Sequence, residues 1–409
     1  MVVDYYKATR DYWLVNLASQ LKSPTLVRID INIPVVGGRI MEDNMRIIAY
    51  AHVLELLSEY AGLVVTAHQG RPGNKDFINL KQHWIVLRRL LPSRIDIEFV
   101  PVDKVFTEET RRRIMELKAG EILLLDNVRM FREEYEFDPS TSSYIKFFKG
   151  VIKSCVNDAM PVWHRPHTSL MALPYIAKTW VGIRSVYELK ALSEVLNEPG
   201  DDCGIIMGGA KLAKTNYLVR VLSKMDAYTG GLPGQLIARV KGYDLGPKNN
   251  KFLEEKFSPE VFEVARMLVR KFNVYHPVDF VVLENGENKE IPIDELSKTN
   301  GVIMDIGMET VDLYAEKLQE KAIRLRAGPL GVYERGYNHG IILTKRIAGS
   351  GLIFLGGDTT AEIVKYGLDR IIISTGGMMC LSGGAFLHGL AGFSYPSVDL
   401  ILKQGELTF

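Results

Sequence analysis

Five arginines and three histidines stand on or just past apolar runs in the first half of the chain, among short polar side chains, and together they suit the gripping of a small anion. Arg28, Asp30 and Asn32 lie in the run 25–33, and His68 and Arg71 belong to the stretch TAHQGRPG (66–73). Asp126 and Asn127 belong to the end of the run 121–128 with Arg129 just past it, and Asn157 and Asp158 to 154–159, followed by His164, Arg165 and His167 in HRPHTS. Arg46, in EDNMRI, comes shortly after the first run. A guanidinium holds carboxylate or phosphate oxygens through two parallel charge-assisted hydrogen bonds, so such a set suits a phosphorylated, carboxylated small molecule. Any one of these arginines alone reads equally well as an ion-pair or surface residue; the set is what points to a ligand.

The second half carries glycines at the corresponding places: GGAK (208–211), TGG (229–231), AGPLG (327–331), GGDTT (356–360) and STGG (374–377). A glycine pair alone is most simply a tight turn. Repeated turns that open helices expose backbone amides, and the helix dipole adds a potential favourable to phosphates. Lys211 supplies a phosphate-neutralising cation and Asp358 a hard oxygen ligand for magnesium, which together point to a nucleotide polyphosphate. Neither GxxxxGK[ST] nor a GxGxxG after a strand occurs, so P-loop and dinucleotide-binding readings lack support. His164 and His167 have no carboxylate or thiol at ligand spacing, which argues against zinc.

These residues need elements to hold them. A short β-branched run, a polar or glycine-rich turn and an amphipathic helical stretch recur along the chain, the signature of a parallel sheet covered on both faces. The runs are 25–33, 61–68, 95–100, 121–128 and 154–159, then 203–209, 225–231, 301–307, 322–328, 351–357 and 370–377. Ligands of such sheets bind beyond the carboxyl ends of the strands. The expected fold is α/β, with two doubly wound, Rossmann-like parallel-sheet domains and an interdomain cleft. Residues 1–184 form the first domain and 185–391 the second, which opens with a connecting helix over 185–198 built on Val186, Leu189, Leu192, Val195 and Leu196. The apolar tail 392–409 suits docking on the first domain.

A chain of 409 residues exceeds what one core serves, which agrees with two domains. With 50 basic against 49 acidic residues there is no global field of the kind nucleic-acid or membrane-surface binders carry, so any anion must be met by local charge. Three scattered cysteines form neither a disulfide framework nor a zinc pattern, and the N-terminus lacks the pattern of a signal peptide; both suggest the cytoplasm.

The motifs VRIDINIP, EDNMRI, AHQGRPG, LLLDNVR, VNDA with HRPH, GGAK, GPLGVYE, GGDT and STGG resemble, in order and approximate spacing, those of phosphoglycerate kinases, from about residue 25 to about 390. The resemblance implies reversible phosphoryl transfer from 1,3-bisphosphoglycerate to ADP, giving 3-phosphoglycerate and MgATP in glycolysis, with direct in-line transfer and hinge closure. It implies that Arg28, Asp30, Asn32, His68, Arg71, Arg129 and Arg165 hold the triose and that Arg46 lies nearest the transferred group. On the nucleotide side it implies Gly208, Gly209, Lys211, Lys214, Gly328, Pro329, Gly356 and Gly357 around the phosphates, with Glu334 on the ribose. Asp358 would hold magnesium with Thr359 in support, and Gly376 and Gly377 would offer amides to the phosphoryl in flight. Family members are mostly monomers.

Three positions depart from the family pattern. Thr215 stands where a second lysine is common, with Lys214 one residue earlier; Ala327 replaces an asparagine; and TGGMMC puts Met378 in place of a third glycine, where its side chain is expected to enter the core. EDNMRI also carries one residue more than usual before its arginine. Rival readings are a catalytically weak regulatory paralogue, which the three departures favour, and a kinase of the same architecture acting on another acid, which the complete set of His68, Arg71, Arg129 and Arg165 opposes.

Overall fold

Leu26 and Val27 are neighbours on one strand, yet each is fully buried in a different core, and that division explains the architecture of the first half. Successive side chains of a strand point to opposite faces. A strand buried on both faces therefore reads as an unbroken apolar run. The computed structural model describes residues 2–212 and 215–407. These form two compact units, residues 1–193 with 393–409, and residues 194–392.

The first unit is built on a six-stranded sheet of β1 (Thr25–Ile29), β2 (Leu63–Thr66), β3 (Asp96–Val100), β4 (Glu121–Leu125), β5 (Ser154–Asp158) and β6 (Thr179–Val181). All its pairings are parallel and the spatial order is β3-β4-β2-β1-β5-β6, so the connections reverse direction at β1. Val27, Leu63, Val65 and Leu124 pack on one face with Leu54 and Leu57 of the helix Met45–Ser58. Leu26, Val64 and Leu123 pack on the other with Ile145 and Phe148. Arg28, two residues after Leu26, shares that second face by the same alternation.

The division between units falls at 193/194, inside the helix Ile183–Asn197, whereas the sequence placed it at 184/185. Asp158, at the end of β5, accepts the backbone N–H of Ser185 at 2.7 Å and caps the start of this helix. Tail residues belong to the first unit: Tyr5 Oη donates to Asp399 Oδ1 at 2.7 Å, and the Gln404 carboxamide exchanges two hydrogen bonds with the Thr179 backbone at the edge strand β6.

The second unit has its own parallel sheet of β7 (Cys203–Met207), β8 (Asp226–Thr229), β9 (Val274–Tyr275), β13 (Ile323–Ala327), β14 (Leu352–Leu355) and β15 (Met378–Cys380), in the order β9-β8-β7-β13-β14-β15. A three-stranded antiparallel sheet, β10 (Asp279–Glu284), β11 (Glu287–Pro292) and β12 (Val302–Ile306), is inserted between β9 and β13. The run 301–307 is therefore a strand, but of this small sheet. Its hairpin turns on Asn285-Gly286, both at positive φ, the pair that a two-residue loop demands.

One expected strand is a helix. Residues Asp369–Ser374 wind into a six-residue helix, and the strand begins only at Met378. Leu368 and Ile372, four apart, enter the core, while Ile371 and Ile373 face solvent. The isoleucine run has β propensity, but the two buried positions have helical spacing, and burial decides.

The second core encloses one ion pair, Arg326 of β13 with Glu362 at 2.6 Å, both fully buried. Burial pushes the Glu362 carboxyl up, while the Arg326 charge opposes that rise. Breaking a buried pair leaves an uncompensated charge. Glu362→Gln should lower the stability of the second unit by about 3–5 kcal/mol in calorimetric unfolding, and Arg326→Met/Glu362→Leu should recover most of that loss. A loss under about 1 kcal/mol for Glu362→Gln is the surface-pair result and would refute the assignment.

Candidate active site

Parallel pairing carries every strand end of the first unit to one edge of its sheet, and the polar residues past those ends meet there. Asp30, past β1, forms an ion pair with Arg46 at 2.5 Å and accepts the Asn32 N–H at 2.9 Å. Arg46 sits in the first turn of the helix Met45–Ser58, whose cap is the Asn44 side chain bonded to the Arg46 N–H. Asn32 Oδ1 accepts the Gly70 N–H at 2.8 Å, and Gln69 exchanges hydrogen bonds with both backbone groups of Ile33 at 3.0 Å. The loops after β1 and β2 are thereby zipped together. Gly70 makes this possible at φ +64°, since a Cβ there would collide with the Asp76 carbonyl.

Asp126 and Asn127, past β4, hold the loops rather than a ligand. Asp126 accepts the Leu80 N–H at 2.8 Å, and Asn127 Nδ2 donates to the Gln69 and Ile78 carbonyls at 2.7 and 2.8 Å. Arg129 is 4% exposed and donates from Nη1 to the Gly70 carbonyl, while its Nε and Nη2 have no hydrogen-bond partner among the described residues. Burial, then the neighbouring charge of Arg165, lowers this guanidinium to about 10. His167 is lowered to about 3, by burial first and then by Arg129, Arg28 and Arg165. Arg165 Nε donates to His164 Nε2 at 3.3 Å, and Arg71 is exposed at the rim. The first unit thus brings Arg28, His68, Arg129, Arg165 and His167 into one field, where burial and the neighbouring cations hold His68, Arg129 and His167 below their ordinary ranges.

Arg28 needs correcting as a ligand-binding residue. It is wholly buried, and Nε donates to Ser169 Oγ at 2.9 Å, Nη1 to the Ile29 carbonyl and Nη2 to His68 Nδ1 at 3.0 Å. Its donors are spent inside the protein, so it supports His68 from behind. Ser169 and Glu134, which the sequence did not single out, complete that support: Glu134 accepts both the N–H and the hydroxyl of Ser169, at 2.9 and 2.8 Å.

In the second unit the turns after β7 and β13 are stitched to each other where the strand order reverses. The Gly208 N–H donates to the Ala327 carbonyl at 2.9 Å and the Gly209 N–H to the Pro329 carbonyl at 2.6 Å. Gly328, at φ +96°, passes so close that a Cβ would stand 2.5 Å from the Gly208 carbonyl. Ala327 makes this contact through its backbone carbonyl, as any residue there would, so the loss of the asparagine side chain stands as a departure. Lys211 is exposed beside this turn; Lys214 lies outside the described residues, and a helix begins at Thr215. Next to the turns is a cavity of about 590 Å³ bordered by Gly209, Gly231, Pro329 and Glu334. Leu232, Phe280, Met304 and Val332 give it apolar walls, which suit a purine ring. These wall residues were missed because they come from the inserted small sheet and from turns distant in sequence.

Asp358 is exposed in the first turn of the helix Gly357–Lys365, after Gly356 at φ +94°. Thr359 does not face a metal. It is buried, and its hydroxyl donates to the Leu355 carbonyl at 2.8 Å and accepts the Gly328 N–H at 2.7 Å, tying two strand-end turns together. Gly376 and Gly377 also need correcting. They precede β15, so they lie at the amino edge of the sheet beside Ser350, and both amides donate to carbonyls of the preceding helix. The glycine turn at the carboxyl edge is Ser382-Gly383-Gly384, with Gly383 packed on Gly356. Met378 is accordingly a buried strand residue and not a missing member of a phosphate cradle. No cluster of three or more metal-binding side chains occurs among the described residues.

Residues 19–392 match the family model described as phosphoglycerate kinase. The chain belongs to the phosphoglycerate kinase family. It is 32% identical over 385 residues to the phosphoglycerate kinase of Methanothermus fervidus, covering 90% of this chain and 92% of that protein. It is 33% identical over 396 residues to that of Sulfurisphaera tokodaii, covering 92% of each. The crystal structure of phosphoglycerate kinase from Pyrococcus horikoshii OT3 superposes with a TM-score of 0.84 at 29% identity, over 97% of this chain and 99% of that one. The chain is thus a phosphotransferase of glycolysis, and adenine nucleotide and phosphoglycerate are the substrates of its family.

Arg129→Gln tests the cationic edge. It removes a buried, half-satisfied charge, so the ligand-free variant should melt no lower than the parent while affinity for 3-phosphoglycerate falls about a hundredfold, near 2.8 kcal/mol. A variant that loses stability and keeps its affinity would make Arg129 a scaffold residue.

Proposed function

We propose that the first unit holds the triose and the second the nucleotide, in the reversible reaction of 1,3-bisphosphoglycerate with ADP to give 3-phosphoglycerate and ATP. The observation that carries this reading is the contrast between strand ends: arginine and histidine with surplus positive charge on one sheet, glycine turns beside an apolar cavity on the other. Arg129, Arg165 and Arg71 bind phosphate and carboxylate oxygens, with His68 as a further donor and Asn32 and Asp30 at the substrate's hydroxyl. Arg46 balances charge on the phosphoryl as it moves, and its present partner, Asp30, holds it in place. Gly208, Gly209, Gly328 and Pro329 shape the nucleotide turn, Lys211 meets a phosphate and Glu334 reaches the ribose. The turn 382–384 takes the place first given to Gly376 and Gly377.

Magnesium fits Asp358. The ion keeps several waters and is usually bound through one or two carboxylates plus substrate phosphates, so a single exposed aspartate at the opening of a helix is sufficient protein ligand. When bound it would neutralise phosphate charge. The protein's own part is to position the reactants and stabilise the transferred group with fixed cations and amides, as loose phosphoryl-transfer transition states require. Attacking and leaving oxygens must meet in line with water excluded, and we assign the hinge for that closure to the helix Ile183–Asn197, within which the units divide.

The regulatory reading loses ground, because Met378 no longer counts as a departure, although the departures at Ala327 and Thr215 stand. The three free cysteines, all buried, and the lack of any described helix long and apolar enough to cross a membrane support placement in the cytoplasm. We take the monomer as the working state.

In a coupled assay with 3-phosphoglycerate and MgATP, Arg46→Ala should lose a hundredfold or more in kcat, about 2.7 kcal/mol, with a far smaller change in KM. An unchanged kcat removes Arg46 from the transfer step. Asp358→Ala should weaken MgADP binding about tenfold or more and leave 3-phosphoglycerate binding nearly intact; equal weakening of both contradicts the division between units.

A further inference from the structure

The imidazole of His68 stands at the end of a buried chain of four side chains, with Arg28, Ser169 and Glu134 behind it. Glu134 accepts the Ser169 hydroxyl proton at 2.8 Å, Ser169 Oγ accepts Arg28 Nε at 2.9 Å, and Arg28 Nη2 lies 3.0 Å from His68 Nδ1. None of the four is more than 3% exposed. An arginine carries donors only and stays protonated in proteins. His68 Nδ1 can therefore only be the acceptor in this pair, and the proton of the neutral ring must sit on Nε2.

We propose that Arg28, anchored through Ser169 to Glu134, is a positioning residue that fixes His68 in its Nε2–H form, so that His68 meets the substrate as a neutral hydrogen-bond donor and not as a cation. The inference deepens the reading of His68 as a ligand of phosphoglycerate and rests on it. The surroundings agree from every side. Arg28 faces His68 from β1, Arg129 from the loop after β4, and Arg165 and His167 from the loop after β5; burial, then these charges, hold the imidazole well below its ordinary range. The carboxylate in the chain, Glu134, is separated from the ring by Ser169 and Arg28. Three guanidinium groups already provide attraction for an anion, so a further cation would add mainly repulsion, while a donor in fixed orientation adds direction. A fixed donor also keeps binding from depending on a second titration in the range where a phosphate monoester itself changes charge, near pH 6.

The whole chain, labelled with 15N-histidine, tests this directly by long-range imidazole NMR, with His68→Gln identifying the resonance. The expected result is an unprotonated Nδ1 and a protonated Nε2, unchanged between about pH 5.5 and 8. A proton on Nδ1, or a titration in that window, overturns the proposal. Arg28→Met should raise KM for 3-phosphoglycerate about tenfold with kcat changed less than about threefold. In that variant burial and the remaining cations keep the ring neutral, so its spectrum should show the proton shared between Nδ1 and Nε2. Arg28→Lys, which keeps a donor for Nδ1, should restore the single Nε2–H form. Equal losses of affinity in both variants with the tautomer unchanged would reduce Arg28 to a structural role. If His68→Gln leaves KM for 3-phosphoglycerate unchanged, the ligand role of His68 fails, whatever tautomer the spectrum shows.

Discussion

Positive charge crowded at one edge of a buried sheet is the constraint on which the first unit depends. Arg28, Arg129 and Arg165 crowd two histidines at one edge of a buried sheet, and each lowers the readiness of its neighbours to carry a proton. Such a cluster costs stability, and it persists because the scaffold over-determines it. Gln69, Asn127 and Asn32 tie the loops to one another through backbone groups, and the Gly70 turn admits no side chain. In the proposed function a phosphate or carboxylate of the substrate lies against this cluster. Affinity and selectivity for an anion then follow from the same arrangement that makes the empty edge unfavourable.

The second unit meets the opposite requirement with different materials. Its strand-end turns are held close, with Gly208 against the Pro329 backbone, the Gly328 N–H on the Thr359 hydroxyl and Gly383 against Gly356. A Cβ at Gly208 or Gly328 would collide with the facing backbone. The apolar cavity beside these turns gives a base a dry surface, and its walls come from Leu232, Phe280, Met304 and Val332. One sheet therefore presents charge and the other presents shape, and the chemistry asks only that the two be brought together.

How much of this could be read from the sequence follows from the range of the forces involved. The parallel strands were legible because burial on both faces leaves an uninterrupted apolar run, and the ligand edge was legible because arginines and glycines followed those runs. Ser169 and Glu134 were not, since they reach Arg28 only through the fold, more than a hundred residues away in the chain. Residues 370–377 looked extended because isoleucine favours strands, yet Leu368 and Ile372 needed burial on the same side. That misplacement carried Gly376 and Gly377 to the wrong end of the sheet. The family resemblance implied Thr359 as metal support, whereas its hydroxyl is engaged by two backbone groups. The Asn285-Gly286 hairpin carried a local signal that was overlooked, and with it went part of the nucleotide wall.

The most direct test is hydrogen exchange followed by mass spectrometry on the whole chain, with each substrate added alone. Saturating 3-phosphoglycerate should slow exchange in segments 66–74, 126–135 and 164–169 while leaving 208–212, 328–335 and 356–360 as they were, and MgADP should do the reverse. Protection of the glycine turns by 3-phosphoglycerate, with the arginine edge unaffected, would contradict the assignment of the triose to the charged sheet.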